Sequence, residues 1–167
     1  MSNVEFDLKL GFDDVLLKPK RSTLTSRSKV NLTRIHKFRH STKTFEGVPL
    51  IAANMDGVGT FAMAKVMQEF NCLTVIKKHY TKEDWEKAVG EGLSLKHIAV
   101  CTGSNMIHDP NAEDYFLTKL LLEKYPDINY ICIDVANGYQ EAFANFVAKV
   151  RKDFPDKVIM AGNVITP

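Results

Sequence analysis

The chain lacks a long apolar segment: no run in its 167 residues approaches the roughly 20 apolar residues that a membrane-spanning helix needs. Its first residues, MSNVEFDLKLGFDD, carry acidic side chains where a signal peptide would carry basic and then apolar ones. The length and a hydrophobic fraction of 45% are sufficient for one domain with a buried core. We therefore expect a single globular domain located in the cytoplasm.

The chain also has few groups that would hold a metal ion or a nucleic acid. Its three cysteines, Cys72, Cys101 and Cys132, lie in apolar contexts without a CxxC pair, and its histidines do not cluster. The formal net charge is only +2, and the basic residues form no stripe interleaved with aromatics. These absences predict reduced, buried thiols, no metal site in this chain and no nucleic-acid partner.

What the sequence does contain is an alternation of short apolar runs with amphipathic stretches. Runs of this length suit strands that are buried on both faces of a parallel sheet. The pattern predicts five parallel strands of an α/β protein, in either an open doubly wound sheet or a (β/α)8 barrel. The runs are VPLIAANM from Val48, CLTVI from Cys72, HIAVC from His97, YICIDV from Tyr130 and VIMAG from Val158.

Start and stop signals bound the predicted helices. Thr81 and Asp84 have the spacing of a capping pair at the start of one helix, and Gly90 would end it. Asp109 with Pro110 is a start signal for another helix, which Pro126 would end. Apolar residues at helical spacing predict two further helices, around residues 63–70 and 143–154.

Polar residues follow the predicted strands at their carboxyl ends, where both architectures place ligand sites. Asp134 ends one apolar run, and it either binds a ligand or caps the helix that begins near Tyr139, although five intervening residues weaken the second reading. Lys77, Lys78 and His79 follow another run. Clustered cations of this kind can handle protons, or two of the three are surface charge.

Two other segments are suggestive of phosphate binding without completing a motif. The GVG at residues 57–59 has Ala62 where the dinucleotide fingerprint GxGxxG requires its third glycine, so it can equally be a flexible turn. The basic run KPKRSTLTSRSK could cradle a phosphate through Lys20, Arg21 and Arg27, or it could be a solvated loop.

Several longer motifs resemble those of one enzyme family. They are DLKLGFDDVLLKPKRSTLTSR, GVPLIAANMDGVGTFAMA, the KHY after the second predicted strand, YICIDVANGY and IMAGNVIT. Together they resemble the amino-terminal half of GMP reductases, which are related to IMP dehydrogenases. IMP dehydrogenases typically carry a regulatory insertion after the second barrel strand, whereas here KKHY leads directly into TKEDW. The resemblance therefore favours the reductase.

The fold implied by this resemblance is a (β/α)8 TIM barrel, of which the chain would hold the first five strands. Residues 1–167 would then be the amino-terminal portion of a single catalytic domain. Residues 1–47 would form an amino-terminal extension with a β-rich loop, and residues 48–167 would form strands 1 to 5 of the barrel.

The activity implied by the resemblance is the NADPH-dependent conversion of GMP to IMP and ammonia by a cytoplasmic homotetramer that also binds K+. In such enzymes a cysteine attacks C2 of the purine, and hydride from the cofactor then resolves the adduct. Lys78 would contact the cofactor and relay protons for ammonia release. The other implied site residues are Asp134, Val135 and Ala136 at the nicotinamide and ribose, Ser26 and Arg27 at the adenosine end in a neighbouring subunit's site, and Met55 and Asn163 in the substrate pocket.

The chain departs from the family pattern in three respects. Gly57 replaces the threonine of the usual MDTVGT, and Lys77 replaces the histidine of the usual HKHY. The loop with the catalytic cysteine and the potassium ligands, and the loops that bind the nucleotide phosphate, would lie beyond Pro167. We therefore expect a truncated chain that is inactive alone. The alternatives are an IMP dehydrogenase-type oxidoreductase and a non-catalytic fragment or partner subunit.

Overall fold

The computed structural model describes Leu8, residues 10–103 and residues 113–165. The chain divides into two compact units, of which one ends at Asn31 and the other begins at Leu32. Within the described ranges, no helix is both long enough and apolar enough to cross a membrane.

Where the first unit is described, it contains two short 3-10 helices, Phe12–Asp14 and Arg27–Lys29. Gly11 precedes the first helix, and its amide donates a hydrogen bond to the carboxylate of Asp14 at 2.8 Å. The hydroxyl of Ser26 caps the second helix by accepting a hydrogen bond from the amide of Ser28 at 3.3 Å. Local hydrogen bonds of this kind define the backbone of this unit.

The second unit begins with a β-hairpin of strands β1 (Arg34–Lys37) and β2 (Thr44–Gly47). The two strands pair antiparallel over their whole length. Gly47 ends β2 in a crowded position, because a Cβ atom there would lie 2.2 Å from the carbonyl oxygen of Asn71. Only glycine allows the hairpin to approach the rest of the unit this closely.

Five parallel strands follow and form one sheet in chain order, as the apolar runs predict. Each strand pairs with the next one along the chain, which is the arrangement of half a (β/α)8 barrel. The first of them is much shorter than its apolar run, because only two of its residues, Ile51 and Ala52, pair with the next strand. The strands are β3 (Ile51–Ala52), β4 (Leu73–Val75), β5 (Ile98–Thr102), β6 (Tyr130–Asp134) and β7 (Val158–Gly162).

Among the described residues, four α-helices connect these strands. Thr81 and Asp84 form the predicted capping box, and Gly90 is the last residue of the helix that they begin. The start signal at Asp109 and Pro110 lies outside the described residues. The helices are α1 (Phe61–Glu69), α2 (Lys82–Gly90), α3 (Glu113–Lys124) and α4 (Glu141–Asp153).

The strands bury alternate residues on opposite faces of the sheet. Ile131 and Ile133 of β6 are fully buried in a large core cluster together with residues of the helices. Tyr130, at the start of the same strand, belongs to a second cluster on the inner face of the sheet. There Phe45 of the hairpin packs edge-on against Tyr130, with the ring centroids 6.3 Å apart. The hairpin therefore covers the amino-terminal end of the inner face and leaves the carboxyl end open.

Candidate active site

Asp134 is the last residue of β6 and lies at the open, carboxyl end of the sheet. The residues two and four positions before it, Cys132 and Tyr130, share its face of the strand. Its neighbour Ile133 is fully buried, whereas Asp134 is exposed. Because side chains alternate between the two faces of the strand, one carboxylate is exposed to solvent at the end of a buried segment. The helix that follows begins only at Glu141. Asp134 is therefore not the cap of that helix.

Asn54 is a site residue that the sequence reasoning missed. Its side-chain amide Nδ2 donates a hydrogen bond of 2.8 Å to Oδ2 of Asp134. The same nitrogen lies 3.3 Å from Sγ of Cys101 and donates to it. Asn54 follows β3, so one side chain links the ends of three strands. The sequence did contain a signal for Asn54, because it is a polar residue at the carboxyl end of the apolar run that begins at Val48.

Two cysteines lie side by side beneath this carboxylate. Cys101 of β5 and Cys132 of β6 are paired positions in the parallel register, so their side chains lie next to each other. Interaction with the Cys101 thiol, burial and the nearby Asp134 charge raise the pKa of Cys132. Cys72 and Cys101 are buried as predicted, but Cys132 is only half-buried.

Lys78 is placed opposite an acidic residue of α3. Its Nζ lies 3.7 Å from Oδ2 of Asp114, and both side chains are partly exposed. Gly103 borders the pair, because a Cβ there would come within 3.3 Å of the Lys78 Nζ and 3.4 Å of the Asp114 carboxylate. A cavity of about 300 Å³ lies beside the pair. Its lining residues are Lys78, His79, Tyr80, Thr81, Glu113, Asp114 and Leu117.

Lys77, the extra cation relative to the family pattern, is directed differently from Lys78. Its Nζ lies 3.8 Å from the carboxylate of Asp56 and 5.1 Å from the ring centroid of Tyr80. The Lys77 ammonium group thus interacts with a carboxylate and an aromatic ring, and neither belongs to the ion pair that Lys78 forms with Asp114. The two lysines, although adjacent in sequence, therefore lie in separate electrostatic environments.

The two glycines of the GVG segment have different roles. A Cβ at Gly59 would lie 2.5 Å from the carbonyl oxygen of Val75, so this turn into α1 requires glycine. A Cβ at Gly57 would meet no atom within 4 Å. The threonine that the family usually has at this position would therefore find space, and the departure at Gly57 is sterically neutral.

Some of the remaining predicted site residues lie close to one another at the carboxyl end of the sheet. Val135 exchanges backbone hydrogen bonds with the end of β7, donating to Gly162 at 2.9 Å and accepting from Asn163 at 3.0 Å. Ala136 and Met55 are both exposed, at the ends of β6 and β3 respectively. Val135, Ala136 and Asn163 thus lie around Asp134.

Ser26 and Arg27 belong to the first unit and are exposed. Their predicted role at a neighbouring subunit's site stays a prediction. In the described ranges, no group of three or more histidine, cysteine or carboxylate side chains is arranged to hold a metal ion.

Comparison with known proteins gives consistent matches. Residues 9–167 match a family described as the IMP dehydrogenase / GMP reductase domain. The chain is 53% identical over 166 residues to the GMP reductase of Klebsiella pneumoniae subsp. pneumoniae, covering 98% of this chain and 46% of that protein. It is 52% identical over 165 residues to the GMP reductase of Enterobacter sp. (strain 638), with the same coverage of 98% and 46%.

A solved structure gives a likeness in fold. The inosine 5′-monophosphate dehydrogenase from Legionella pneumophila superposes with a TM-score of 0.68 at 24% identity. The superposition covers 93% of this chain and 44% of that one. The chain therefore spans less than half the length of the relatives that it matches.

Proposed function

Because the chain belongs to the IMP dehydrogenase / GMP reductase family, whose members are oxidoreductases, we propose that it forms the amino-terminal half of a GMP reductase. The proposed reaction is the NADPH-dependent reduction of GMP to IMP with release of ammonia. The observation that supports it most directly is the 53% identity with a GMP reductase over 98% of this chain. The likeness to an IMP dehydrogenase, at 24% identity, concerns the fold.

The residues at the end of β6 fit a nicotinamide nucleotide. The Asp134 carboxylate is exposed, and one of its oxygens is held by Asn54, so its orientation is fixed. A carboxylate at a strand end can accept hydrogen bonds from ribose hydroxyls. When bound, NADPH supplies the hydride that reduces C2 of the purine. Val135 and Ala136 would line the nicotinamide side of the same site.

Lys78 is the proposed proton donor for the departing amine. A protonated lysine gives up one proton as the carbon–nitrogen bond breaks and the amine leaves as ammonia. The Asp114 carboxylate, 3.7 Å from its Nζ, would hold the ammonium group in place between turnovers. The cavity of about 300 Å³ beside this pair leaves space for a reacting group.

The other parts of the proposal concern groups outside this region. The nucleophilic cysteine and the K+ ligands would come from the part of the relatives that this chain does not span. Met55 and Asn163 would shape the purine pocket, and Ser26 with Arg27 would contact the adenosine end of NADPH across an interface of a tetramer. A cytoplasmic location also stays a prediction.

The test of the proposal uses this chain alone and the same chain fused to the carboxyl-terminal half of the Klebsiella pneumoniae GMP reductase. NADPH absorbance is followed with and without GMP, and IMP and ammonia are quantified. We expect GMP-dependent NADPH loss from the fusion and none from the isolated chain. Reduction of NAD+ that depends on IMP would instead identify an IMP dehydrogenase.

A matched pair of lysine variants tests the role of Lys78 in that fusion. Lys78→Met should lower kcat by about 10²- to 10⁴-fold, which is typical of the loss of a general acid. Lys77→Met, which removes a neighbouring cation that pairs with Asp56, should leave kcat within a few-fold. A folded fusion in which both variants keep full activity would contradict the proposed proton donor.

A further inference from the structure

The two cysteines beneath Asp134 have no role in the proposed reaction, yet their placement is specific. Cys101 and Cys132 are direct partners in the register of β5 and β6. Neighbouring strands lie about 4.8 Å apart, and disulfides join Cα atoms separated by about 4.4–6.8 Å. Both side chains point to the inner face of the sheet, and both are free thiols. The backbone spacing therefore permits a bond between the two sulfur atoms.

The surroundings make the two thiols chemically different. Cys101 accepts a hydrogen bond from the Asn54 amide, and the Cys132 thiol and the Lys78 charge lie nearby. Interaction with the Cys132 thiol in the first place, followed by the hydrogen bond from Asn54, lowers the pKa of Cys101 despite its burial and the Asp134 charge. The pKa of Cys132 is raised, in the first place by its interaction with Cys101. Cys101 is thus the thiol of the pair that loses its proton more readily.

Access to the pair is from the open end of the sheet. Cys101 itself is 7% exposed, whereas Cys132 is half-buried. A reagent the size of water reaches such a position more readily than a bulky one. By contrast Cys72, the third thiol, is buried beside β4, and its Sγ has the carbonyl oxygen of Phe70 as its hydrogen-bond acceptor.

We propose that Cys101 and Cys132 form an oxidation site, at which a small peroxide converts the thiol pair into an intrachain disulfide. The Cys101 thiolate attacks one peroxide oxygen, the O–O bond breaks, and the leaving hydroxide takes up a proton to become water. Cys132 then attacks the sulfenic acid sulfur, the S–S bond forms, and the S–O bond breaks to release a second water. The two sulfurs lose two electrons in total, which reduce one molecule of hydrogen peroxide to two of water.

The disulfide has a direct effect on the candidate active site. It ties β5 to β6 one residue pair before the strand ends, immediately below Asp134. It also changes the bonding of Cys101 Sγ, which accepts a hydrogen bond from the same Asn54 amide that bonds Asp134. This chemistry requires no purine nucleotide or nicotinamide cofactor, so it is independent of the proposed reaction.

The experiment treats the chain with hydrogen peroxide and counts its thiols after denaturation, alongside the intact mass. We expect the count to fall from three thiols to one, with the loss of two hydrogen atoms and no added oxygen. Peptide mapping should find Cys101 joined to Cys132. Cys101→Ser and Cys132→Ser should each abolish the hydrogen loss, and the matched control Cys72→Ser should retain it.

A trivalent arsenical, which bridges two neighbouring thiols, tests the pairing without oxidation. It should add once to the native chain and to Cys72→Ser, consuming two thiols, and should not bridge in Cys101→Ser or Cys132→Ser. Circular dichroism identifies any variant that fails to fold, and Cys→Ala replacements at the same positions then substitute for it. Oxygen addition without a disulfide, a disulfide through Cys72, or a disulfide between two chains would overturn the proposal.

Discussion

The side-chain amide of Asn54 donates a hydrogen bond of 2.8 Å to the carboxylate of Asp134, although 80 residues separate the two positions in the chain. The bond joins the loop after the first strand of the sheet to the end of the fourth. Because Asp134 is otherwise exposed, its orientation depends on this contact. The same amide also donates a hydrogen bond to Cys101, so Asn54 contacts both the Asp134 carboxylate and the thiol pair.

Replacement of Asn54 by alanine should weaken cofactor binding in the fusion described above. Without the amide, the Asp134 carboxylate can rotate, and it must be immobilised when NADPH binds. We expect the KM for NADPH to rise by roughly five- to tenfold, which corresponds to the loss of about 1 kcal/mol, the usual net contribution of one hydrogen bond. Asn145→Ala, on the exposed side of α4, is the matched control. Equal KM values for the two variants would contradict the role of Asn54.

Asp114→Asn should lower the turnover of the fusion by about tenfold with little effect on stability. A partly exposed ion pair such as that with Lys78 contributes at most about 1 kcal/mol to folding. Its loss nevertheless frees the lysine to leave the position from which it donates a proton. Steady-state kinetics and thermal unfolding separate the two effects. A large drop in Tm with unchanged kcat would mean that Asp114 is merely structural.

Gly59→Ala should destabilise the chain by about 1–3 kcal/mol, the usual cost of forcing an atom into a packed position. The added Cβ would meet the Val75 carbonyl oxygen at 2.5 Å and Cα of Asn54 at 2.8 Å. Gly57→Ala adds the same methyl group in open space and should change stability by no more than about 0.5 kcal/mol. Urea unfolding of both variants measures the difference. Similar midpoints for the two would show that the turn can relax.

Asp153 should make the stability of the chain depend on acid pH. The hydrogen bond of 2.6 Å from the Tyr115 hydroxyl, together with Lys149 and Lys119, holds the pKa of Asp153 well below its ordinary value of 3.8. Since the folded-state pKa is the lower one, this stabilisation is present above about pH 4 and is lost as the pH falls through the range below it. The difference in Tm between the native chain and Asp153→Asn should therefore shrink from about pH 5 to about pH 2.

A second variant isolates the tyrosine part of this interaction. Tyr115→Phe keeps the buried ring and removes the hydroxyl, which should cost about 1–2 kcal/mol near neutral pH. Tyr125→Phe is the control, because that ring is also packed against the core but lies over Lys124 instead of bonding to Asp153. If both changes have the same small effect, the hydrogen bond to Asp153 contributes little.

The strands were predictable because parallel strands buried on both faces leave a continuous apolar run in the sequence. The run from Val158 corresponds to β7, and the run from Tyr130 ends one residue beyond β6. The run from Val48 overstates β3, which keeps only Ile51–Ala52 in the ladder. Composition marks which residues are apolar, but which of them join the ladder depends on the partner strand, and β3 pairs only with Leu73 and Thr74 of β4.

The candidate site was predictable only in part, for a related reason. The capping box of Thr81 and Asp84 is local, so a stretch of four residues suffices to identify it. The contacts of Asn54 with Asp134 and of Lys78 with Asp114 join residues that are 80 and 36 positions apart, and no local pattern encodes them. The strand ends indicated where the site lies, whereas the residues that contact Asp134 and Lys78 could be identified only from the folded structure.

The sheet order, in which neighbouring strands are always consecutive in the chain, has a consequence for biosynthesis. Each ladder can form as soon as the next strand has left the ribosome, because no pairing waits for a distant segment. The sheet can thus grow vectorially from β3 to β7. The contact between Asn54 and Asp134 closes only after β6 has been synthesised and paired, so it is a late event that reports correct assembly of the four strands it spans.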